Sequence, residues 1–232
     1  MKIDFIGDIH GHADELVLLL DQLGYNNSKG CFSHPEGRKV VFVGDFIDRG
    51  PKIKETLQIV KAMCDNQSAN AVMGNHEYNA ILFHTKKIGG GFYREHSFKE
   101  INSHYQTLKQ FKDFPQEWQE YIEWFKTLPL FIETEHYRVV HAYWNQSHVA
   151  FLKNNPIQWN ESWFEKVTND TNYEYQVVED LLKGKEHKLP EGYSFHDKDG
   201  IERTESRIKW WQQTEGVILY EDYLINCPKK KK

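Results

Sequence analysis

The sequence predicts an α/β fold, because three short apolar segments are each followed by a glycine-bearing polar loop and then by a helical stretch. Ile3 to Ile6 is a buried strand that stops at Gly7-Asp8, and apolar residues recur at helical spacing from Asp14 to Leu23. Lys39 to Val43 is a β-branched strand, Gly44 to Pro51 a turn-rich loop, and Ile53 to Met63 an amphipathic helix with Leu57 and Val60 on one face. The third round runs from Asn70 to Met73, through Gly74-Asn75-His76-Glu77, to a helix over Tyr78 to Phe83. Serial units of this kind form a sheet whose loops gather at the carboxyl ends of the strands, where such sheets bind ligands. The three loops are therefore expected to meet.

Beyond them, Gly89-Gly90-Gly91 marks a turn, and Phe92 to Leu128 is polar, aromatic-rich and helical, as in an insertion between core strands. Leu130 to Glu133 and Tyr137 to His141 are expected as a hairpin turning at Thr134 to His136. Trp144 to about Gly192 reads as helices and loops, and a strand pair turning at Lys198 to Gly200 is expected after Tyr193. These segments fit one domain over 1–232, in which a helical insertion at about 92–128 and a cap-like region at about 144–192 cover the loops. The tryptophans, including Trp144, Trp159, Trp163 and the Trp210-Trp211 pair, are expected to pack in core and cap.

The chain has 232 residues, 39% hydrophobic and 27% charged, enough for one well-buried core. A net charge of −5 excludes a broad nucleic-acid or anionic-membrane surface, since those partners need a clustered positive field. The one basic block, Lys229 to Lys232, reads as a solvated tail. Cys31, Cys64 and Cys227 form no Cys-x-x-Cys arrangement, so neither a disulfide framework nor a thiolate metal site is expected, and a reducing cytoplasm fits. Met1-Lys2 leads straight into a strand with no apolar signal region, and no stretch approaches the ~20 apolar residues of a membrane span.

The loops contain Gly7-Asp8-Ile9-His10-Gly11, Gly44-Asp45-Phe46-Ile47-Asp48-Arg49-Gly50 and Gly74-Asn75-His76-Glu77. A carboxylate and an imidazole two residues apart at a strand end can reach one ion, and oxygen and imidazole ligands without thiolate suit manganese, iron or zinc. A carboxylate from a second loop can bridge two such ions. Two ions about 3.5–4 Å apart are a recurring device for phosphoester hydrolysis, generating a hydroxide and neutralising phosphoryl charge. Arg49 offers a planar fork of donors for phosphate oxygens, and His76 can protonate a leaving oxygen if Asp48 holds it. Glu77 reads as structural, and His12 as a solvent-facing residue in the first turn of its helix. Arg203 and Arg207 are open between a second phosphate clamp and a solvated face.

With these three motifs the sequence resembles the phosphoprotein-phosphatase branch of the calcineurin-like metallophosphoesterases. The stretch His34 to Pro51, with Pro35-Glu36-Gly37-Arg38 before the second strand, is similar to bacterial diadenosine tetraphosphatases and small serine/threonine phosphatases. The resemblance implies an αββα-type metallophosphoesterase sandwich with a helical insertion or cap. It implies cleavage of a phosphate ester or anhydride by a metal-bound hydroxide, on a dinucleoside polyphosphate, another phosphorylated small molecule or a phosphoprotein. Two divalent ions are implied, manganese first, with iron, zinc or nickel as alternatives. Asp8, His10 and Asp45 would hold the first ion, and Asp45, Asn75 and His141 the second. Arg49 and Asn75 would contact phosphoryl oxygens, and His76, oriented by Asp48, would protonate the leaving group. One departure stands out: the family supplies a late Gly-His pair, and none follows His141, since His148, His187 and His196 stand in other contexts. The second ion is therefore expected to be weakly held, and the alternative function is a catalytically weak protein that binds a phosphorylated ligand.

Overall fold

The computed structural model describes residues 2–28, 30–196, 200, 202–212 and 220–226. Its first half runs β1 (Ile3–Ile6), α1 (Ala13–Gln22), a β2–β3 hairpin (Asn26–Ser28, Cys31–Ser33), β4 (Lys39–Phe42), α2 (Ile53–Asp65), β5 (Ala69–Ala71) and α3 (Asn75–His84). Strands β1, β4 and β5 form a parallel sheet in that order, with Ile6 opposite Phe42 and Phe42 opposite Ala71. Because successive side chains of a strand point to opposite faces, Val40 and Phe42 enter the main core with Leu16, Leu57 and Ile81, whereas Val41 and Val43 face the other way.

The next elements are α4 (Phe98–Ser103), α5 (Tyr105–Phe111), α6 (Pro115–Thr127) and a hairpin of β6 (Phe131–Glu133) and β7 (Arg138–Val140). Val139 of the hairpin, flanked by Ile132 and Tyr137, packs on Val41 and Val72. The hairpin is thus the second β layer of the sandwich, and helices cover the opposite face of the parallel sheet. Helices α7 (Gln146–Asn154), α8 (Glu161–Val167) and α9 (Tyr173–Lys183) follow, then β8 (Glu186–Lys188), β9 (Phe195–His196), β10 (Glu202–Arg203), β11 (Glu205–Arg207) and α10 (Tyr220–Tyr223). Strand β9 pairs with β10 about the expected turn, of which residues 197–199 lie outside the described residues, and β8 pairs with β11. No helix among the described residues is long and apolar enough to cross a membrane.

Three expectations change. Helix α3 begins at Asn75 instead of Tyr78, so Asn75, His76 and Glu77 form its first turn. It is buried nearly all round, through Tyr78, Ala80, Ile81, Leu82 and Phe83, and a helix without a polar face gives no amphipathic signal. Of the insertion helices, α5 reaches the second loop through Thr107 and Gln110, but α6 joins the core instead of covering the loops. Trp118, Tyr121, Ile122 and Phe125 of α6 lie at i, i+3, i+4 and i+7, and this stripe packs into the main core. Trp210 and Trp211 are 39% and 58% exposed instead of packed, although Trp118, Trp124 and Trp163 are buried.

Loops two and three approach backbone to backbone. Gly44 has φ +93°, and a Cβ built there would lie 2.4 Å from the Gly74 nitrogen. A Cβ on Gly74 would in turn lie 2.3 Å from Asp45 Oδ1 and 2.4 Å from its backbone nitrogen. Gly74→Ala should therefore lower unfolding free energy by about 1–3 kcal/mol, read as a reduced urea midpoint; an unchanged midpoint would show that the loops are not so tightly apposed.

Candidate active site

Parallel pairing puts the ends of β1, β4 and β5 on one side, and hydrogen bonds then draw their loops together. Between the first two loops the bonds are backbone to backbone: Ile9 and His10 N–H donate to Asp45 O at 3.0 and 2.9 Å, Gly11 N–H to Phe46 O at 2.8 Å, and Gly50 N–H to His10 O at 2.7 Å. Between the second and third the link is Glu77, which is fully buried. Its carboxylate accepts N–H bonds from Asp45 and Phe46, both at 2.8 Å, and from Gly74 at 3.0 Å.

Among the described residues, five that are not glycine have positive φ, and four of them belong to this site: His10, Asp45, Asp48 and Arg49. Such backbone costs of the order of 1–3 kcal/mol per residue and persists where surrounding bonds impose it.

The side-chain oxygen and nitrogen atoms of the candidate ligand residues face one another. His10 is buried, and its Nδ1 lies 2.8 Å from Ile47 O, an atom that can only accept, so Nδ1 donates. Nε2 is left with no partner, 3.6 Å from Asp45 Oδ2 and 3.9 Å from Asp8 Oδ2. Burial holds the pKa of His10 below the ordinary histidine value, outweighing the hydrogen bond to Ile47, so Nε2 presents a lone pair at neutral pH. His141 repeats the device. Its Nδ1 lies 2.6 Å from Val43 O, leaving Nε2 3.1 Å from Asn75 Oδ1 and 3.5 Å from Asp45 Oδ2. Ligand atoms of His10, Asp45 and His76 all fall within 4.8 Å of one another, as do those of Asp8, Asp45 and His141. Acceptors gathered on acceptors, with both imidazoles oriented by carbonyls behind them, fit one or two divalent cations with Asp45 between.

Asp48 has the opposite surroundings. His76 Nδ1 lies 2.5 Å from Asp48 Oδ2, while His104 Nδ1 and Thr107 Oγ1 lie 2.7 and 2.6 Å from Oδ1. Burial by itself would raise the Asp48 pKa, but the hydrogen bonds and charges of His104 and His76 hold it well below the usual carboxylate range. For His76, burial opposes charging, and the Asp48 bond with the nearby Asp45 and Asp48 charges overcomes it, so its pKa is raised. His104 and Thr107 are absent from the sequence motifs. They approach Asp48 across 56 and 59 residues from the insertion, and no local signal marks them.

Asp8, Asp45, Arg49, Asn75, His76 and His141 line one cavity of about 900 Å³. His10 lies beneath it, and Asp48 lies behind His76. The far wall includes Tyr175, Lys183, His196, Arg203 and Arg207. The two arginines thus border the site, and Lys183 is ion-paired to Glu179. Of the later histidines, His148 is buried 3.6 Å from Asp180, His187 packs against Tyr220 and Tyr223, and His196 reaches the cavity wall. None joins the groups of clustered ligand atoms among the described residues.

The fold and this centre define a metallophosphoesterase. The profile of the calcineurin-like phosphoesterases matches residues 1–220, and the chain belongs to that family. It is 47% identical over 76 residues to a bis(5'-nucleosyl)-tetraphosphatase PrpE [asymmetrical] of Halalkalibacterium halodurans, covering 33% of this chain and 31% of that protein. The protein of the same name from Oceanobacillus iheyensis is 32% identical over 143 residues, covering 62% and 56%. The matches thus span between about a third and just over half of these relatives' lengths. Among solved structures, a metallophosphoesterase from Sphaerobacter thermophilus aligns with a TM-score of 0.41 at 20% identity, over 68% of this chain and 56% of that one.

Two measurements follow from the geometry. Asp45→Asn removes a charge common to both ligand groups and should weaken manganese binding by at least about 10-fold in calorimetric titration; unchanged affinity would remove Asp45 from the ligand set. Burial, followed by the Asp45 charge, pushes the Glu77 pKa up to about 7 against the opposing N–H bonds. A raised carboxyl pKa stabilises the fold fully below the unfolded value near 4.5 and loses that contribution as pH rises through about 7. The unfolding free energy of cation-free protein, from urea titrations, should fall across that window by an amount on the order of 3 kcal/mol, and the Glu77 part of the slope should vanish in Glu77→Gln.

Proposed function

We propose that this chain hydrolyses a phosphate ester or anhydride, and that a dinucleoside polyphosphate is its substrate class. The observation that carries the reading is the union, at one cavity, of an acceptor-only ligand cluster with a histidine backed by a buried carboxylate. Asp8, His10, Asp45, Asn75 and His141 would hold two divalent cations, with manganese the first choice. The cations, when bound, neutralise charge on phosphoryl oxygens and lower the pKa of water at the site.

The chain's own groups supply the rest. Arg49 offers two parallel N–H donors to a phosphoryl oxygen pair at the cavity wall, and the Asn75 amide contacts the same group. His76, with Nδ1 engaged by Asp48, carries its proton at Nε2 toward the leaving oxygen. The names of the relatives support a dinucleotide, and a cavity of about 900 Å³ accommodates an extended ligand. A location in the cytoplasm belongs to the same reading, as the compartment of such nucleotides.

A second reading, a binder of phosphorylated ligands with weak turnover, is favoured by one observation. The group built on Asp8, Asp45 and His141 has a single imidazole among the described residues. Parallel assays with manganese on diadenosine tetraphosphate, a phosphopeptide and p-nitrophenyl phosphate decide between them. The proposal expects turnover, greatest on the dinucleotide, and a loss of about 10²–10⁴ in kcat for His76→Ala on substrates with poor leaving groups. Binding without turnover at saturating manganese would establish the second reading instead.

A further inference from the structure

Asp48 receives more hydrogen bonds than holding one histidine requires. It is 3% exposed, sits at φ +68°, and its carboxylate takes His76 on one oxygen and both His104 and Thr107 on the other. The Thr107 hydroxyl also accepts the backbone N–H of Asp48 itself at 3.1 Å, so one side chain grips both main chain and carboxylate. His104 ends α4 and precedes α5, and α5 carries Thr107.

His104 is held from its other side as well. Its Nε2 lies 3.3 Å from His84 Nε2, and the Trp118 indole donates to that same His84 atom at 3.0 Å. An indole N–H can only donate, so His84 Nε2 is an acceptor, and the His104 ring packs against it through Nε2. Burial, then the neighbouring His104 and His96, push the His84 pKa down to about 4, which keeps that ring an acceptor at neutral pH. A cavity of about 10 Å³, room for roughly one water, touches Asp48, His76 and His104. The ring of His104 therefore has one orientation available to it.

A carboxylate held through one oxygen could turn, and the His76 ring would turn with it. Bonds from His104 and Thr107 to the other oxygen prevent this. We propose that His104, with Thr107, is a positioning residue for the reaction: the two hold the Asp48 carboxylate in one orientation, which fixes the His76 ring with Nδ1 on Asp48 and Nε2 toward the substrate. The inference rests on His76 as proton donor to the leaving group.

The test compares two manganese-activated reactions of the full chain. p-Nitrophenolate leaves without a proton, whereas the alkoxide of phosphoserine needs one. His104→Ala should lower kcat on phosphoserine by about 10-fold or more with KM unchanged, and on p-nitrophenyl phosphate by less than about 3-fold. His104→Asn, whose amide nitrogen can occupy the place of Nδ1, should recover most of the loss. Thr107→Val should show the same selective loss and stands in if His104→Ala fails to fold. Equal losses on both substrates without recovery in His104→Asn, or no loss on either, would overturn the proposal. If His76→Ala itself shows no leaving-group difference, the role of His76 is what fails.

Discussion

Three short loops from three strands have to bring two carboxylates and two imidazoles together on strained backbone, and one buried carboxylate, Glu77, makes that possible. It binds the N–H groups of Asp45, Phe46 and Gly74 at once, joining the second loop to the third. Glu77 is itself immobile because it lies in the first turn of α3, a helix seated in the core by Tyr78, Ile81 and Leu82. The first loop is then aligned on the second by backbone bonds alone. Positive φ at His10, Asp45, Asp48 and Arg49 is sustained by these ties.

Loop two carries two aspartates three residues apart, and the fold gives them opposite surroundings. Asp45 Oδ2 meets the lone pairs of His10 and His141, which suits a cation, while its Oδ1 accepts the His76 backbone N–H at 3.0 Å. Asp48 meets only donors, which suits a carboxylate that must stay ionised behind a proton-bearing histidine. Left-handed backbone at Gly44, Asp45, Asp48 and Arg49 lets one eight-residue loop turn these two carboxylates in different directions. His76 lies where the two environments touch, bonded to Asp48 and 4.0 Å from Asp45 Oδ2.

The residues lining the floor of the site were legible in the sequence because each follows a strand and lies within two residues of a glycine: Asp8, His10, Asp45, Asn75 and His76 announce themselves locally. His141 was legible by its place at the end of a strand. What supports them was not. His104 and Thr107 come from helices with no motif of their own, and their partner lies more than fifty residues away. Helix α3 hid its first turn because burial on all sides erased the periodicity that reveals a helix. The stripe on α6 was visible as helical, but periodicity names a buried face without naming what it meets, so core helices were expected as a cover. The exposed Trp210 shows the same limit, since residue type suggested packing whereas the indole N–H is held at the surface by Ala142 O at 2.7 Å.

The central claim is that the three loops and His141 form a centre for divalent cations built on Asp45. Anomalous diffraction from crystals soaked in manganese tests it most directly. The account predicts peaks on both sides of the Asp45 carboxylate, one within bonding distance of Asp8 and His10 and the other of Asn75 and His141, the second of lower occupancy. Saturating manganese with no peak at Asp45, or peaks confined to other carboxylates of the surface, would contradict it.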